Sequence, residues 1–404
     1  MKILLVHRYY WPDSPPYASM LRTIAEHLAN EGHEVDVFTA QPSYGGSEKH
    51  ERASKFEDLN RVSIYRAPLL NESKDRSLLR AMNLVLFAAQ VSLRILRKRE
   101  YEVVMAATTP PILIGLAGRF ASRASGARFV YHMQDIYPEV MAANSGRPVS
   151  LPLRLFKRLD TLTTSTSDAV VVLSEDMQES LRARGQKVDQ VRVINNFVPD
   201  KSHSNSDSGL KIERIRPDSS AFQIIFAGNL GNFQGLNQVI DAFHELDGRG
   251  VNAELVLLGD GVAEAELRLR AGALLDRTIF FVGRVSQAEA EIHIARADLA
   301  LVALNPGVIR TAFPSKTMTY LSVGTPVLAA VGGSSELGAF LESEGVGSSC
   351  ELDPLAIADA VESSISGLNT APDEVKASAR RYASAESRLP QWSSLIAELD
   401  RKRY

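Results

Sequence analysis

Cysteine is almost absent from this chain of 404 residues, where Cys350 stands alone. One thiol excludes an intramolecular disulfide and fits a reducing compartment, so a cytoplasmic setting is expected. An export signal is not evident either. Met1-Lys2-Ile3-Leu4-Leu5-Val6-His7 is a short apolar run that leads into Arg8-Tyr9-Tyr10-Trp11 with no small-residue cleavage site. The sequence shows no internal repeat of solenoid period and no long low-complexity tract. A Gly-x-Gly-x-x-Gly turn does not follow the first apolar run, which argues against a nicotinamide oxidoreductase. Nor does an Asp-x-Asp pair follow a strand, where it could hold a metal ion.

What is present is the composition of a soluble globular protein, 45% hydrophobic and 23% charged. The length is too great for one ordinary core, so two domains are expected. The net charge of −3 is unevenly divided. Residues 1–197 carry 26 Lys and Arg against 21 Asp and Glu, whereas the remainder carries 19 against 27. A basic N-terminal half hints at an anionic surface or substrate on that side.

Strand-like runs alternate with helix-like ones through both halves, the pattern of parallel sheets covered by helices. The first half offers strands at Lys2–His7, Glu34–Thr39, Val62–Arg66, Val103–Ala107, Arg128–His132, Ala169–Leu173 and Val191–Ile194. The second offers Gln223–Ala227, Ala253–Leu258, Thr278–Val282, Leu299–Ala303 and Pro326–Ala330. A helix over Met20–Glu31 gathers Leu21, Ile24, Ala25 and Leu28 on one face and stops at Gly32. The predicted fold is therefore α/β, with two doubly wound, Rossmann-like parallel-sheet domains facing across a cleft. Residues 1–197 form the first domain, 198–221 a polar linker, 222–385 the second domain, and 386–404 a C-terminal helix packing back toward the first.

In open α/β sheets ligands bind beyond the carboxyl ends of the strands, so the loops there matter most. Pro314-Ser315-Lys316 opens a short helix before Gly324-Thr325-Pro326. Pro314 loses nothing at a helix start, Ser315 can cap, and Lys316 in the first turn adds a cation to an already positive helix end. That conflict between propensity and placement suggests a phosphate site, against the plain alternative of a surface lysine. Glycine loops Gly228-Asn229-Leu230-Gly231, Gly259-Asp260-Gly261 and Gly283-Arg284 follow three strands of the second half. Glycines there let the backbone approach a diphosphate, although tight strand-to-helix turns need them too.

In the first half, Asp135 lies just past a strand end, where a carboxylate can accept a hydroxyl proton or cap a helix near Pro138. His132 is a second candidate, with a buried core histidine as the plainer reading. Glu336 follows a strand at a helix start, where capping and ligand contact are equally served. The segment Leu78–Arg99 is apolar with basic ends, but Asn83, Gln90, Ser92 and Arg94 interrupt it. A membrane-spanning helix is thus not expected; a core helix or one lying at a membrane surface is.

These residues together resemble the retaining nucleotide-sugar glycosyltransferases of the GT-B fold, family 4, in its O-antigen and capsule branch. The resemblance covers nearly the whole chain. Tyr9-Tyr10-Trp11-Pro12 with Pro15-Pro16, Tyr17 and Arg22 look like the family's first loop, and Gln134-Asp135-Ile136-Tyr137-Pro138-Glu139 like its Asp-aromatic-Pro-acid motif. The glycine loops, Pro314-Ser315-Lys316 and Gly324-Thr325-Pro326-Val327 follow in the family's order. By that resemblance the donor side comprises Gly228, Asn229, Gly231, Gly259, Gly261, Arg284, Pro314, Ser315, Thr319 and Glu336. The acceptor side comprises Tyr17, Arg22, His132, Tyr137 and Glu139, with Asp135, Lys316 and Arg310 as the catalytic candidates. The family's paired glutamates fall on Thr311 and Thr319, and a lysine common in the first donor loop is Gln234.

The resemblance implies transfer of a sugar, N-acetylated and carried on UDP, to a lipid-diphosphate-linked saccharide or other polysaccharide precursor. It implies no metal cofactor, no nucleic-acid partner and a cytoplasmic enzyme peripheral to the membrane. A sugar-nucleotide epimerase of the same fold is the nearest alternative. A non-catalytic sugar-binding protein is more remote, since it would normally carry an export signal.

Overall fold

Runs of Val, Ile, Leu and Ala with both faces buried dictate parallel sheets, because such strands must be covered by helices on each side. The computed structural model describes residues 1–13, 16–43, 52–70, 77–140, 151–198, 220–332, 334–367 and 370–401. The chain divides into two compact units. Most of the predicted linker, together with Pro15 and Gly333, lies outside the described residues.

In the first unit the strands are β1 (Lys2–Val6), β2 (Glu34–Ala40), β3 (Phe56–Leu59), β4 (Val62–Ala67), β5 (Val103–Ala107), β6 (Arg128–His132), β7 (Ala169–Val172) and β8 (Val191–Val193). Their order across the sheet is β3-β4-β2-β1-β5-β6-β7-β8. All neighbours are parallel except β3 and β4. The helices are α1 (Pro16–Asn30), α2 (Ser77–Lys98), α3 (Leu113–Ser125), α4 (Leu151–Thr166) and α5 (Glu175–Ala183). Parallel crossovers are right-handed, so α2, α3 and α4, which all step from β4 toward β7, lie on one face of the sheet. Helix α3 packs between α2 and α4.

Helix α1 begins four residues before the predicted Met20. Proline costs nothing in a first turn, and the earlier start buries Ala18 with Met20 and Leu21. The strand β3 was not predicted. Its Phe-Glu-Asp-Leu sequence has little apolar content because it is an edge strand, joined to β4 through Asn60 and Arg61 at positive φ.

The second unit repeats the plan with β9 (Phe222–Ala227), β10 (Ala253–Leu258), β11 (Ile279–Gly283), β12 (Leu299–Ala303), β13 (Val327–Ala330) and β14 (Gly347–Cys350), ordered β11-β10-β9-β12-β13-β14. Its helices are α6 (Leu236–Gly248), α7 (Glu264–Ala271), α8 (Gln287–Arg296), α9 (Lys316–Ser322), α10 (Glu336–Ser343), α11 (Pro354–Gly367) and α12 (Pro372–Ala383). The unpredicted β14, Gly-Ser-Ser-Cys, pairs through its backbone at the other edge and carries no hydrophobic pattern. Between the strands, Leu236, Val239, Ile240 and Phe243 of α6 pack on Ile224, Phe226, Leu255 and Leu257.

The last helix, α13 (Ala385–Arg401), belongs to the first unit. Its Trp392, Leu395, Ile396 and Leu399 join Ile3, Leu5, Ile24 and Leu28 in one core. At its rim, Arg192 donates to both carboxylate oxygens of Glu398 at 2.8 and 2.9 Å. Trp392 is buried and meets the His132 ring edge-on at 4.9 Å between centroids. Replacing it empties a large volume that the sheet behind cannot fill. We expect Trp392→Ala to cost the first unit about 3–5 kcal/mol, as for other buried aromatic truncations, measured by urea unfolding. A loss below about 1 kcal/mol would show that α13 contributes little to that core.

Candidate functional site

In the second unit, the residues before α9 set the position of one cation. Pro314 is buried and Ser315 exposed. Ser315 does not cap the helix as predicted: at φ −54° and ψ −25° it is already helical, so its hydroxyl is not aimed at the free N–H groups behind it. Thr317 N donates instead to Pro314 O at 3.0 Å. Lys316 turns inward. Its Nζ lies 3.6 Å from the centre of the Phe226 ring and donates to Gln234 Oε1 at 3.0 Å. A Cβ on Gly228 would sit 3.2 Å from that Nζ, so any larger residue there would crowd the ammonium.

Among the described residues, Lys316 has no carboxylate partner within 4.0 Å. Burial pushes its pKa down to about 7. An ammonium held by a neutral amide and a ring face remains available to an anion. Gln234 is therefore the group that steadies Lys316.

The three glycine loops are locked to each other. Gly228 N donates to Leu258 O (2.9 Å), Gly259 N to Gly283 O (2.8 Å) and Leu230 N to Asp260 O (2.9 Å). A Cβ on Gly259 would overlap the Gly228 carbonyl, and one on Gly261 the Leu230 carbonyl. Gly259 also holds φ at +134°, a conformation other residues avoid. Two of the glycine amides expected near a diphosphate are therefore occupied. The N–H groups of Gly228 and Gly259 are already bonded, because adjacent loops approach too closely to leave them free.

The remaining donor-side candidates are scattered in character. Asn229, Arg284 and Arg310 are exposed, Gly231 is buried and Thr319 is half-buried. Thr311 is buried with its hydroxyl donating to Val308 O at 2.9 Å, so it braces the backbone. Glu336 accepts from the Tyr382 hydroxyl at 2.9 Å, while the α10 cap is Ser335, whose oxygen accepts from Gly338 N at 3.1 Å. Tyr320 was not predicted as a site residue. Its hydroxyl exchanges bonds with Ala227 N (2.9 Å) and O (3.0 Å), fixing the end of β9 beside Gly228.

In the first unit, Asp135 lies just beyond β6 and is half-buried. Burial raises its carboxyl to about pKa 6. The same carboxylate adds to the burial that raises the Tyr137 phenol to about 12. His132, by contrast, is wholly buried, and burial, with His7 adding to it, lowers its pKa to about 3. Its ring nitrogens are both engaged, Nδ1 with Tyr17 Oη and Nε2 with Gln134 Nε2, each at 2.9 Å. With the Gln134 amide as donor, the imidazole proton sits on Nδ1 and is given to Tyr17. Gln134 Oε1 in turn accepts from Asn196 Nδ2 at 2.8 Å. The row Tyr17–His132–Gln134–Asn196 thus ties α1, β6 and the end of the first unit together, next to Asp135.

Arg22 and Glu139 brace loops. Arg22 pairs with Glu26 at 2.7 Å and lies 4.7 Å from the Trp11 ring centre. Glu139 joins Arg184 and Lys157, and the buried Arg184 also binds Asp160 at 2.6 Å and the Tyr137 carbonyl at 3.1 Å. Among the described residues, no three His, Cys, Asp or Glu side chains gather where a metal ion could bind.

Each half of the chain matches a family model. Residues 17–196 match a "Glycosyl transferase 4-like domain" and residues 221–366 match "Glycosyl transferases group 1". WbjE of Pseudomonas aeruginosa, named as a glycosyltransferase, is 25% identical over 72% of this chain and 73% of its own. WcaI of Escherichia coli K12, named for colanic acid biosynthesis, is 26% identical over 85% of this chain and 86% of its own. Among solved structures, sucrose-phosphate synthase of Thermosynechococcus elongatus superposes with a TM-score of 0.72 at 17% identity, covering 99% of both chains. HepE of Anabaena, solved with UDP and glucose, gives 0.67 at 16% identity, covering 98% of this chain and all of its own.

Two outcomes test this geometry. Gly259→Ala forces a Cβ against a backbone carbonyl and should destabilise the second unit by about 2 kcal/mol or more, read as a fall in Tm. The lowered pKa of Lys316 means that the unfolded chain holds a proton the native chain has released between about pH 7 and 10.5. Stability linked to Lys316 therefore rises with pH across that window. Lys316→Met should flatten that part of the stability profile, and an unchanged slope would mean the ammonium is solvated.

Proposed function

Since the chain belongs to the family 4, group 1 glycosyltransferases of the GT-B fold, we propose that it transfers a sugar from a nucleoside-diphosphate donor to a polysaccharide precursor. The observation that carries the donor half of this reading is Lys316, an inward ammonium whose partners are the Gln234 amide and the Phe226 face. Departure of a sugar leaves growing negative charge on the diphosphate, and a desolvated cation beside it is worth far more than one in water. Binding the anion restores the proton that burial weakens. By the resemblance, the family's usual paired glutamates fall on threonines here, and one of them, Thr311, bonds the backbone. Phosphate recognition thus outweighs sugar or ribose recognition on this surface.

The finer reading is a UDP donor carrying an N-acetylated sugar, a lipid-diphosphate-linked acceptor, retention of anomeric configuration and no metal requirement. HepE, a neighbour in fold, has been solved with UDP, which supports UDP as the first donor to try. Retention by attack on the face the diphosphate leaves needs no protein nucleophile. Asp135 is assigned to the acceptor hydroxyl: with a pKa near 6 it is ionised at neutral pH yet basic enough to take a proton. A lipid-carried acceptor would keep the enzyme cytoplasmic and peripheral to the membrane.

A nucleotide-sugar screen by thermal shift, followed by product analysis, tests the reading. A donor that binds only the native state raises Tm by mass action. Lys316→Ala should weaken donor binding and lower kcat. Asp135→Asn should lower kcat by roughly 10²- to 10⁴-fold with donor affinity kept, and should remove an acidic limb near pH 6 from the wild-type profile. Donor isomerisation without transfer would instead establish an epimerase. EDTA should leave the rate unchanged, and loss of activity restored by a divalent ion would sink the metal-free part.

A further inference from the structure

Arg66, near the carboxyl end of β4, is buried although it carries a charge. Its Nη1 donates to Ser54 O at 3.1 Å and to Glu57 at 2.8 Å, and its Nη2 to Trp11 O at 2.9 Å. One guanidinium thus ties the loop after β1 to the edge strand β3. There lies a pocket of about 380 Å³ whose walls include Trp11, Pro12, Ser54, Phe56, Glu57 and Arg66. That volume falls within the range of small-ligand sites, about 300–1,000 Å³.

Two aromatic rings stand at this pocket with open surface. Trp11 is 37% exposed and Phe56 47%. Arg22, itself buried and paired with Glu26, lies over the indole at 4.7 Å. Tyr65 braces Phe56, with their ring centres 5.0 Å apart. Each ring is therefore held by a neighbour while part of its apolar surface stays in water, which burial by a ligand would relieve.

The polar groups around the pocket are not all matched. Arg66 Nε is buried and, among the described residues, has no hydrogen-bond partner. The same holds for Gln41 Oε1, whose amide Nε2 donates to Ala53 O of the pocket wall at 3.1 Å. Buried polar atoms are nearly always bonded, so one left over calls for an explanation. These two offer a donor and an acceptor without net charge, because Glu57 already cancels the guanidinium. An anion is therefore not what the pocket fits. A pyranose ring is, since it presents a flat C–H face to an aromatic ring and, at its edge, hydroxyls that both donate and accept.

We propose that this pocket holds a neutral pyranose ring of the saccharide acceptor, remote from the ring that reacts. Arg66 near the end of β4 and Asp135 beyond β6 are four strand steps apart across the sheet, roughly 19 Å. A ring stacked on Trp11 and Phe56 is thus not the one whose hydroxyl meets Asp135. The pocket favours acceptors that already carry several sugars over a single sugar on its carrier. The inference rests on the proposed transfer to a polysaccharide precursor for the class of ligand, and on Trp11, Phe56 and Arg66 for the site.

Trp11 supplies the readout. The chain has two tryptophans, and Trp392 is buried, so iodide in solution quenches Trp11 emission selectively. The full chain is titrated with a panel of neutral oligosaccharides built from hexoses, deoxyhexoses and N-acetylhexosamines, with oligogalacturonate as the anionic control. At least one neutral oligosaccharide should shield Trp11 from iodide, and oligogalacturonate should not. Phe56→Ala, at an exposed position, should weaken that binding about three- to tenfold with Tm unchanged. Asp135→Asn should leave it unaltered. Failure of every neutral oligosaccharide to shield Trp11 would overturn the proposal. So would a preference for oligogalacturonate, shielding that survives Phe56→Ala undiminished, or its loss in Asp135→Asn. Donor-induced thermal stabilisation is read separately: shielding without any donor shift defeats the transferase reading and leaves a saccharide site, and a donor shift without shielding does the reverse.

Discussion

The second unit depends on keeping one ammonium out of water without giving it a carboxylate. Gly228, with no side chain, leaves Lys316 uncrowded as it points inward, and the ammonium is held there by a hydrogen bond to Gln234 and by the Phe226 ring face. A carboxylate in place of Gln234 would neutralise the site and shut out an anion. The loops that bring these groups together are held by bonds between Gly228, Leu258, Gly259 and Gly283, all at the ends of adjacent strands. Glycine there serves the scaffold first. The scaffold then delivers the cation.

A different logic runs through the first unit. There the polar groups near Asp135 are engaged with one another: His132 bonds Tyr17 and Gln134, and Gln134 accepts from Asn196. Glu139 and Asp160 consume the Arg184 guanidinium. Buried networks of this kind are costly when half-made and rigid when complete. Asp135 lies beside them and titrates on burial alone, so its carboxylate is available while its surroundings hold still. The contrast separates residues that brace from residues that can react, and it moves His132, Arg22 and Glu139 to the bracing side.

The outward surface of α2 to α4 follows from the same sheet. Right-handed crossovers stepping one way put three consecutive helices side by side, so whatever their outer stripes carry becomes one continuous face. Each helix alone looks like an amphipathic or core helix. Only their juxtaposition turns Val85, Phe120 and Leu155 into a patch, and it is basic because Asp160, the one acid on the three helices, is buried.

The alternation of apolar strands with helical periods determined two parallel-sheet units from sequence alone, because burial on both faces writes itself into every strand. The ordered motifs likewise determined the family, and Lys316 was singled out by its place at a helix start. Edge strands escaped because β3 and β14 pair through backbone and carry charged or polar side chains on exposed faces. What only the tertiary structure decided were partnerships across long separations. Gln234 meets Lys316 from 82 residues away, Tyr17 meets His132 from 115, and α13 returns to the first core through Trp392. Such pairings leave no local pattern, since a hydrogen bond constrains two side chains in space and not their spacing in the chain.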